Sequence, residues 1–124
     1  MITFEKFTMD DSGPIYGQIV RYVKRGIVAG RIENGDEMPS RRVLSATLGV
    51  NPNTIQKAYR MLEDEGIIQS HAGAKSYVVL DEAKVEAIRE ELAENDIGAM
   101  ISALKQSGLT REEGLELIGR LWKE

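Results

Sequence analysis

Apolar residues recur at helical spacing in five stretches of this chain, and two short runs rich in β-branched residues lie between the third and fourth. The first stretch opens at Pro14, a residue suited to a first helical position, and carries Ile15, Ile19, Tyr22, Val23 and Ile27 on one face. Gly30 closes it, and the segment before it, residues 1–11, has no periodic pattern and reads as an irregular start. A second, short helix follows Ser40 as N-cap, with Val43, Leu44 and Leu48 assigned to its inner face. Gly49 marks the turn after it. Asn51 as N-cap and Pro52 at the first helical position then start a third helix that reaches about Glu65.

In this third helix Ile55, Ala58, Tyr59 and Leu62 follow the i, i+3, i+4, i+7 rule and face inward. Asn53, Gln56, Lys57 and Arg60 keep the same spacing on the other side, where donor-rich side chains can reach base edges or phosphates from a major groove. Residues 67–71 and 76–80 read as two strands of a hairpin with Gly73 at its tip. From Asp81 the composition shifts to strong helix formers. Val85, Ile88 and Leu92 form a stripe that is interrupted at Asn95–Gly98, a site for a kink, and resumes at Ile97, Met100, Ile101 and Leu104, giving one long helix to about Gln106. An interior Gly costs only about 1 kcal/mol, so it does not end the helix. Thr110-Arg111-Glu112-Glu113 is a capping box, and Leu115, Leu117, Ile118, Leu121 and Trp122 line the last helix.

The predicted fold class is therefore mainly α with a small β-hairpin wing: a winged helix-turn-helix over residues 1–80, then a two-helix tail over residues 81–124. Helices in so short a tail cannot enclose their own large apolar side chains, so Leu92, Ile97, Met100, Ile101, Leu104, Leu117, Ile118, Leu121 and Trp122 are candidate homodimer contacts.

Charge refines this picture. The 124 residues carry a net charge of −4, which argues against DNA binding only if the charge is spread evenly. Residues 1–80 hold 10 Lys/Arg against 9 Asp/Glu, and the acidity lies in the tail, with 6 against 11. Cysteine is absent and histidine occurs once, so no disulfide framework, Cys nucleophile or convergent metal site is expected, and no cofactor. No nucleophile, phosphate-loop or metalloprotease motif appears, which sets an enzyme aside. With no signal-peptide pattern and no apolar run of about 18 residues, a cytoplasmic setting is expected.

Each of these features has a plainer interpretation. A polar helix face is in general a solvated face; Tyr16, Tyr59 and Tyr77 sit among apolar positions and suit packing; His71 suits a strand-end surface; Glu90, Glu91, Glu94 and Asp96 suit solvent. What reverses the odds for the third helix is the surrounding pattern. Pro14-Ile15-Tyr16-Gly17-Gln18-Ile19, then Gly35 to Leu44, then Gly49 to Tyr59 and Leu62 to Ile68 together resemble the GntR family of bacterial transcription regulators, in order and spacing, over residues 12–80. The short helical tail resembles the YtrA branch, whose members lack a large effector domain.

The resemblance implies that Arg42 contacts DNA, that Asn51, Asn53, Thr54 and Gln56 begin the recognition helix, and that Gly73 is the wing tip. This chain departs from the family pattern at Arg41, where an acidic or other polar residue is common, at Ala72, where an arginine or other polar residue is common, and at Lys75, where a second wing glycine is common. On this basis Asn53 and Gln56 are candidate adenine readers and Arg42 a guanine reader, with Arg41, Lys57, Arg60 and Lys75 as phosphate contacts. The function expected is sequence-specific regulation, by repression, through an inverted-repeat operator bound by a homodimer. The alternative is a winged-helix module that binds protein without reading DNA. No residue names a small-molecule effector. In so small a chain one would bind at the dimer interface or between the tail and the DNA-binding part.

Overall fold

A computed structural model describes residues 1–71 and 75–124. Its elements run α1 (Ile15–Val28), α2 (Arg41–Leu48), α3 (Pro52–Asp64), β1 (Ile68–His71), β2 (Lys75–Val78), α4 (Glu82–Gln106) and α5 (Arg111–Leu121). Two compact units form, Met1–Ile88 and Arg89–Glu124. The first takes in the opening turns of α4, so it extends past residue 80.

In the first unit α3 is the central element and packs against α1, α2 and β1. Its buried face is Ile55, Ala58, Tyr59 and Leu62, the predicted stripe, and α1 answers with Ile19, Val23 and Ile27. Met38, Leu44, Ile67, Ile68 and Val78 complete this core. Local chemistry sets the boundaries. Ser40 Oγ accepts from the Val43 amide at 3.1 Å and so starts α2, while Asn51 Oδ1 accepts from the Asn53 amide at 2.8 Å and starts α3 behind Pro52. Between them Gly49 takes φ +67°, a left-handed turn that a side chain would resist, and Ser45 Oγ donates to the Val50 carbonyl at 2.7 Å.

Two features differ from the sequence expectation. Val43 is 53% exposed, not inward, because a helix of eight residues lying on α3 has room to bury only Leu44 and Ser45. The N-terminal segment is ordered by contact with the rest: the Ile2 amide donates to the Glu37 carbonyl at 2.9 Å, Ile2 and Phe4 are buried, and Phe4 and Phe7 pack on Tyr22 of α1. β1 and β2 pair antiparallel, Ile68 opposite Val78 and His71 opposite Lys75. A bridge from Glu37 to Tyr77 ties residues 36–38 to the outer side of β2.

At the base of this unit Lys84 Nζ donates to the Gly66 carbonyl at 2.5 Å, anchoring the first turn of α4, which Asp81 caps through the Lys84 amide at 2.7 Å. α4 continues as one helix through Asn95–Gly98. In the second unit the end of α4 meets α5, with Leu104 Cδ1 3.4 Å from where a Cβ on Gly114 would stand. The Thr110 capping box starts α5 as predicted: the Thr110 amide donates to Glu113 Oε1 at 2.9 Å and the Glu113 amide to Thr110 Oγ1 at 3.2 Å. Among the described residues no helix is long and apolar enough to cross a membrane.

Candidate nucleic-acid interface

The helix-turn-helix geometry of α2 and α3 decides which side chains are offered to a partner. Because α3 buries one stripe in the core, the stripe opposite must face outward, and Asn53, Gln56, Lys57 and Arg60 are all exposed. Thr54 is half-buried at the edge of that face. Asn51 is exposed and spends its Oδ1 on the helix cap, which makes its Nδ2 the atom that can address a ligand. Arg42, in the first turn of α2, is exposed, and so is Lys75 at the start of β2. Gly73 lies outside the described residues.

Some of the carboxylates near this face are already paired. Three carboxylates crowd the end of α3, and two of them are paired: Glu65 with the buried Lys24 at 2.8 Å and Glu63 with Arg41 at 2.8 Å. Asp64 is exposed. The cations Arg42, Lys57 and Arg60 therefore face solvent with much of the nearby negative charge already matched, an arrangement suited to a polyanion.

Two of the cations selected from the sequence are engaged within the chain. Lys57 Nζ lies 4.1 Å from the centroid of the Tyr16 ring, which draws a flexible ammonium onto the first turn of α1. Tyr16, assigned to packing from the sequence, thus also borders this face, and no periodicity in the sequence pairs it with Lys57. Arg41 is half-buried, paired with Glu63, and stacked over Tyr59 at 4.8 Å from the ring centroid. Tyr59 is 0% exposed and its hydroxyl donates to the Pro39 carbonyl at 2.5 Å. Burial pushes the phenol far above its ordinary pKa, against the opposing pull of the Arg41 charge, so it remains a donor.

The tail residues divide by exposure. Leu92 is buried; Leu104, Leu117 and Ile118 are half-buried; Ile97, Met100, Ile101, Leu121 and Trp122 are exposed. Ile101, Leu104, Leu109, Leu115 and Ile118 line an open cavity of about 310 Å³ between the end of α4 and α5.

Comparison with known proteins agrees with this geometry. Residues 15–78 match the model of the bacterial regulatory proteins of the gntR family. The HTH-type transcriptional repressor YtrA of Bacillus subtilis (strain 168) is 39% identical over 94 residues, 71% of this chain and 72% of that protein. The HTH-type transcriptional regulator YhcF of the same strain is 32% identical over 105 residues, 85% of this chain and 87% of that protein. A GntR family transcriptional regulator from Listeria monocytogenes superposes with a TM-score of 0.75 at 36% identity, covering 92% of this chain and all of that one. These matches run past the hairpin into the tail. A chain whose helix-turn-helix is matched by the family model, and most of whose length is matched by regulators of that type, belongs to the GntR family of bacterial regulatory proteins.

Proposed function

We propose that the protein is a sequence-specific DNA-binding transcription regulator, acting as a repressor, whose homodimer grips an inverted-repeat operator. The observation that carries this reading is the exposed stripe Asn53, Gln56, Lys57 and Arg60 on a helix that follows the Gly49 turn and buries its other face in the core. Amide side chains at Asn53 and Gln56 have the paired donor and acceptor that adenine presents in the major groove, and Arg42 has the fork that guanine presents. Arg60 and Lys57 supply charge to the phosphates, Asn51 and Thr54 flank the start of the reading helix, and Lys75 at the start of β2 supplies a further cation to the neighbouring backbone.

One such module makes few contacts, and a dyad doubles them. Support for the dimer comes from the tail, where Ile97 is 51% exposed, Leu121 65% and Trp122 74%. Side chains of this size left exposed on the second half of α4 and at the end of α5 favour a second copy as cover. Repression is favoured by the likeness to YtrA, named a repressor.

Selection of bound sequences from random duplexes, followed by a salt titration, tests the reading. A two-fold symmetric consensus and an affinity that falls steeply with salt, about −0.9 in slope per phosphate contact, are expected. Arg42→Ala should weaken binding to that consensus by about 1–3 kcal/mol at fixed salt. A protein that enriches no duplex, or whose affinity ignores salt, overturns the DNA-binding reading in favour of the protein-binding alternative.

A further inference from the structure

Arg41 stands beside Arg42 at the start of α2, and the two side chains have opposite surroundings. Arg42 is exposed. Arg41 is held on three sides: its Nη2 donates to Glu63 Oε1 at 2.8 Å, the same nitrogen lies 3.4 Å from Ser70 Oγ, and its guanidinium covers the Tyr59 ring. Its Nε is buried without a hydrogen-bond partner. A cation kept for a phosphate gains by remaining hydrated and mobile until it meets one, whereas this one has given up part of its hydration to reach protein partners.

Those partners belong to two different elements, α3 and β1. Tyr59 and Glu63 lie one turn apart on α3, and the Tyr59 hydroxyl holds the Pro39 carbonyl just ahead of α2, so residues 39 and 41 grasp the same ring. Ser70 on β1 shares a 2.9 Å hydrogen bond with Ser76 on β2, which carries the chain of contacts across the hairpin. We propose that Arg41 is a positioning residue that fixes the first turn of α2, and Arg42 with it, against α3 and the base of the wing, without itself touching DNA. The proposal rests on the DNA-binding reading above. Base readout tolerates only small displacements, and a planar fork stacked on a ring fixes direction in a way an ammonium cannot.

The role makes a sign prediction for Glu63. If Arg41 were a phosphate clamp restrained by Glu63, removing that carboxylate charge would release the cation and tighten binding. If Arg41 positions α2, the same change loosens the site and weakens binding.

The test uses the full chain and its selected duplex in a salt series, with Arg41→Lys, Arg41→Gln and Glu63→Gln, and Arg60→Gln as a phosphate-contact reference. All three test variants are expected to lose about tenfold in specific affinity while the salt slope and non-specific affinity stay at the wild-type value, and Lys is not expected to rescue. Arg60→Gln should instead lower the slope by about 0.9. In the free protein, hydrogen exchange at the Val43 and Leu44 amides, which bond to Ser40, should accelerate in all three. Wild-type binding by Arg41→Lys, a lowered slope in Arg41→Gln, or tighter binding by Glu63→Gln overturns the proposal. If an Arg41 variant fails to fold, Glu63→Gln decides. Should the wild-type chain bind no duplex, the DNA reading falls, and unchanged exchange at Val43 and Leu44 would then overturn the positioning role as well.

Discussion

Replacing Tyr59 with Phe removes one oxygen from the centre of the helix-turn-helix and leaves the ring in place. The ring is fully buried and its hydroxyl is the donor to the Pro39 carbonyl, itself buried. Because Phe fills the same volume, no cavity opens, and the change is confined to a carbonyl left without its donor. Such an orphaned group costs about 1–3 kcal/mol, and the hydroxyl no longer buried returns part of that, so a net loss of about 1–2 kcal/mol is expected. For a unit of this size each kcal/mol corresponds to about 4–8 °C in Tm. Urea denaturation followed by far-UV circular dichroism should show a lower midpoint with an unchanged m-value. A change below about 0.5 kcal/mol would mean that water replaces the hydroxyl at Pro39, and that the segment ahead of α2 is not held by this bond.

Three further outcomes follow from particular contacts. Gly49→Ala should cost about 1 kcal/mol, purely from the left-handed backbone since no atom stands within 4 Å of the added Cβ, and Gly49→Asn should cost less; equal stability of all three in urea would refute the strain argument. Hydrogen bonds from the Thr110 amide and hydroxyl hold the Glu113 carboxyl below the usual carboxylate range. A lowered folded-state value stabilises the capping box above the ordinary glutamate pKa and loses that contribution as pH falls through the lowered one. An NMR titration that placed Glu113 at or above the ordinary value would contradict this. Met100→Asp, on an exposed position of α4, should convert a dimer to monomer in sedimentation with helix content intact, and a tight dimer from this variant would move the interface off α4.

The legible parts of this fold were those written locally. Ser40, Asn51 with Pro52, Asp81 and Thr110 with Glu113 each announce a helix start within four residues, and each makes the cap its chemistry allows. The inner stripe of α3 was equally plain, and its outer stripe follows from it. What the sequence could not reveal is pairing across distance. Arg41 with Glu63, Lys24 with Glu65, and Lys57 with Tyr16 join residues from different elements, where no spacing rule applies, so all three cations have partners inside the chain that composition does not show. The N-terminal segment was missed for a related reason. Ile2 is held through its backbone amide by Glu37, and a single extended residue bonded this way leaves no periodic trace.

The long helix α4 shows how one continuous element can serve two surfaces. Ile88 and Leu92 are buried, whereas Ile97, Met100 and Ile101 are exposed. Between Leu92 and Ile97 the spacing is five residues where a single stripe would use three or four. At about 100° per residue, five steps carry the side chain about 140° past a full turn, so the second set of apolar residues cannot occupy the face that buries the first. The interruption at Asn95–Gly98 is therefore a change of face without a break in the backbone. A helix meant only to complete its own chain's core would keep one stripe throughout, since every exposed Ile or Met forfeits part of the ~1.5–3 kcal/mol that full burial contributes. The rotated stripe, with Leu115, Leu121 and Trp122 of the tail also exposed, is the surface on which the proposed dimer rests.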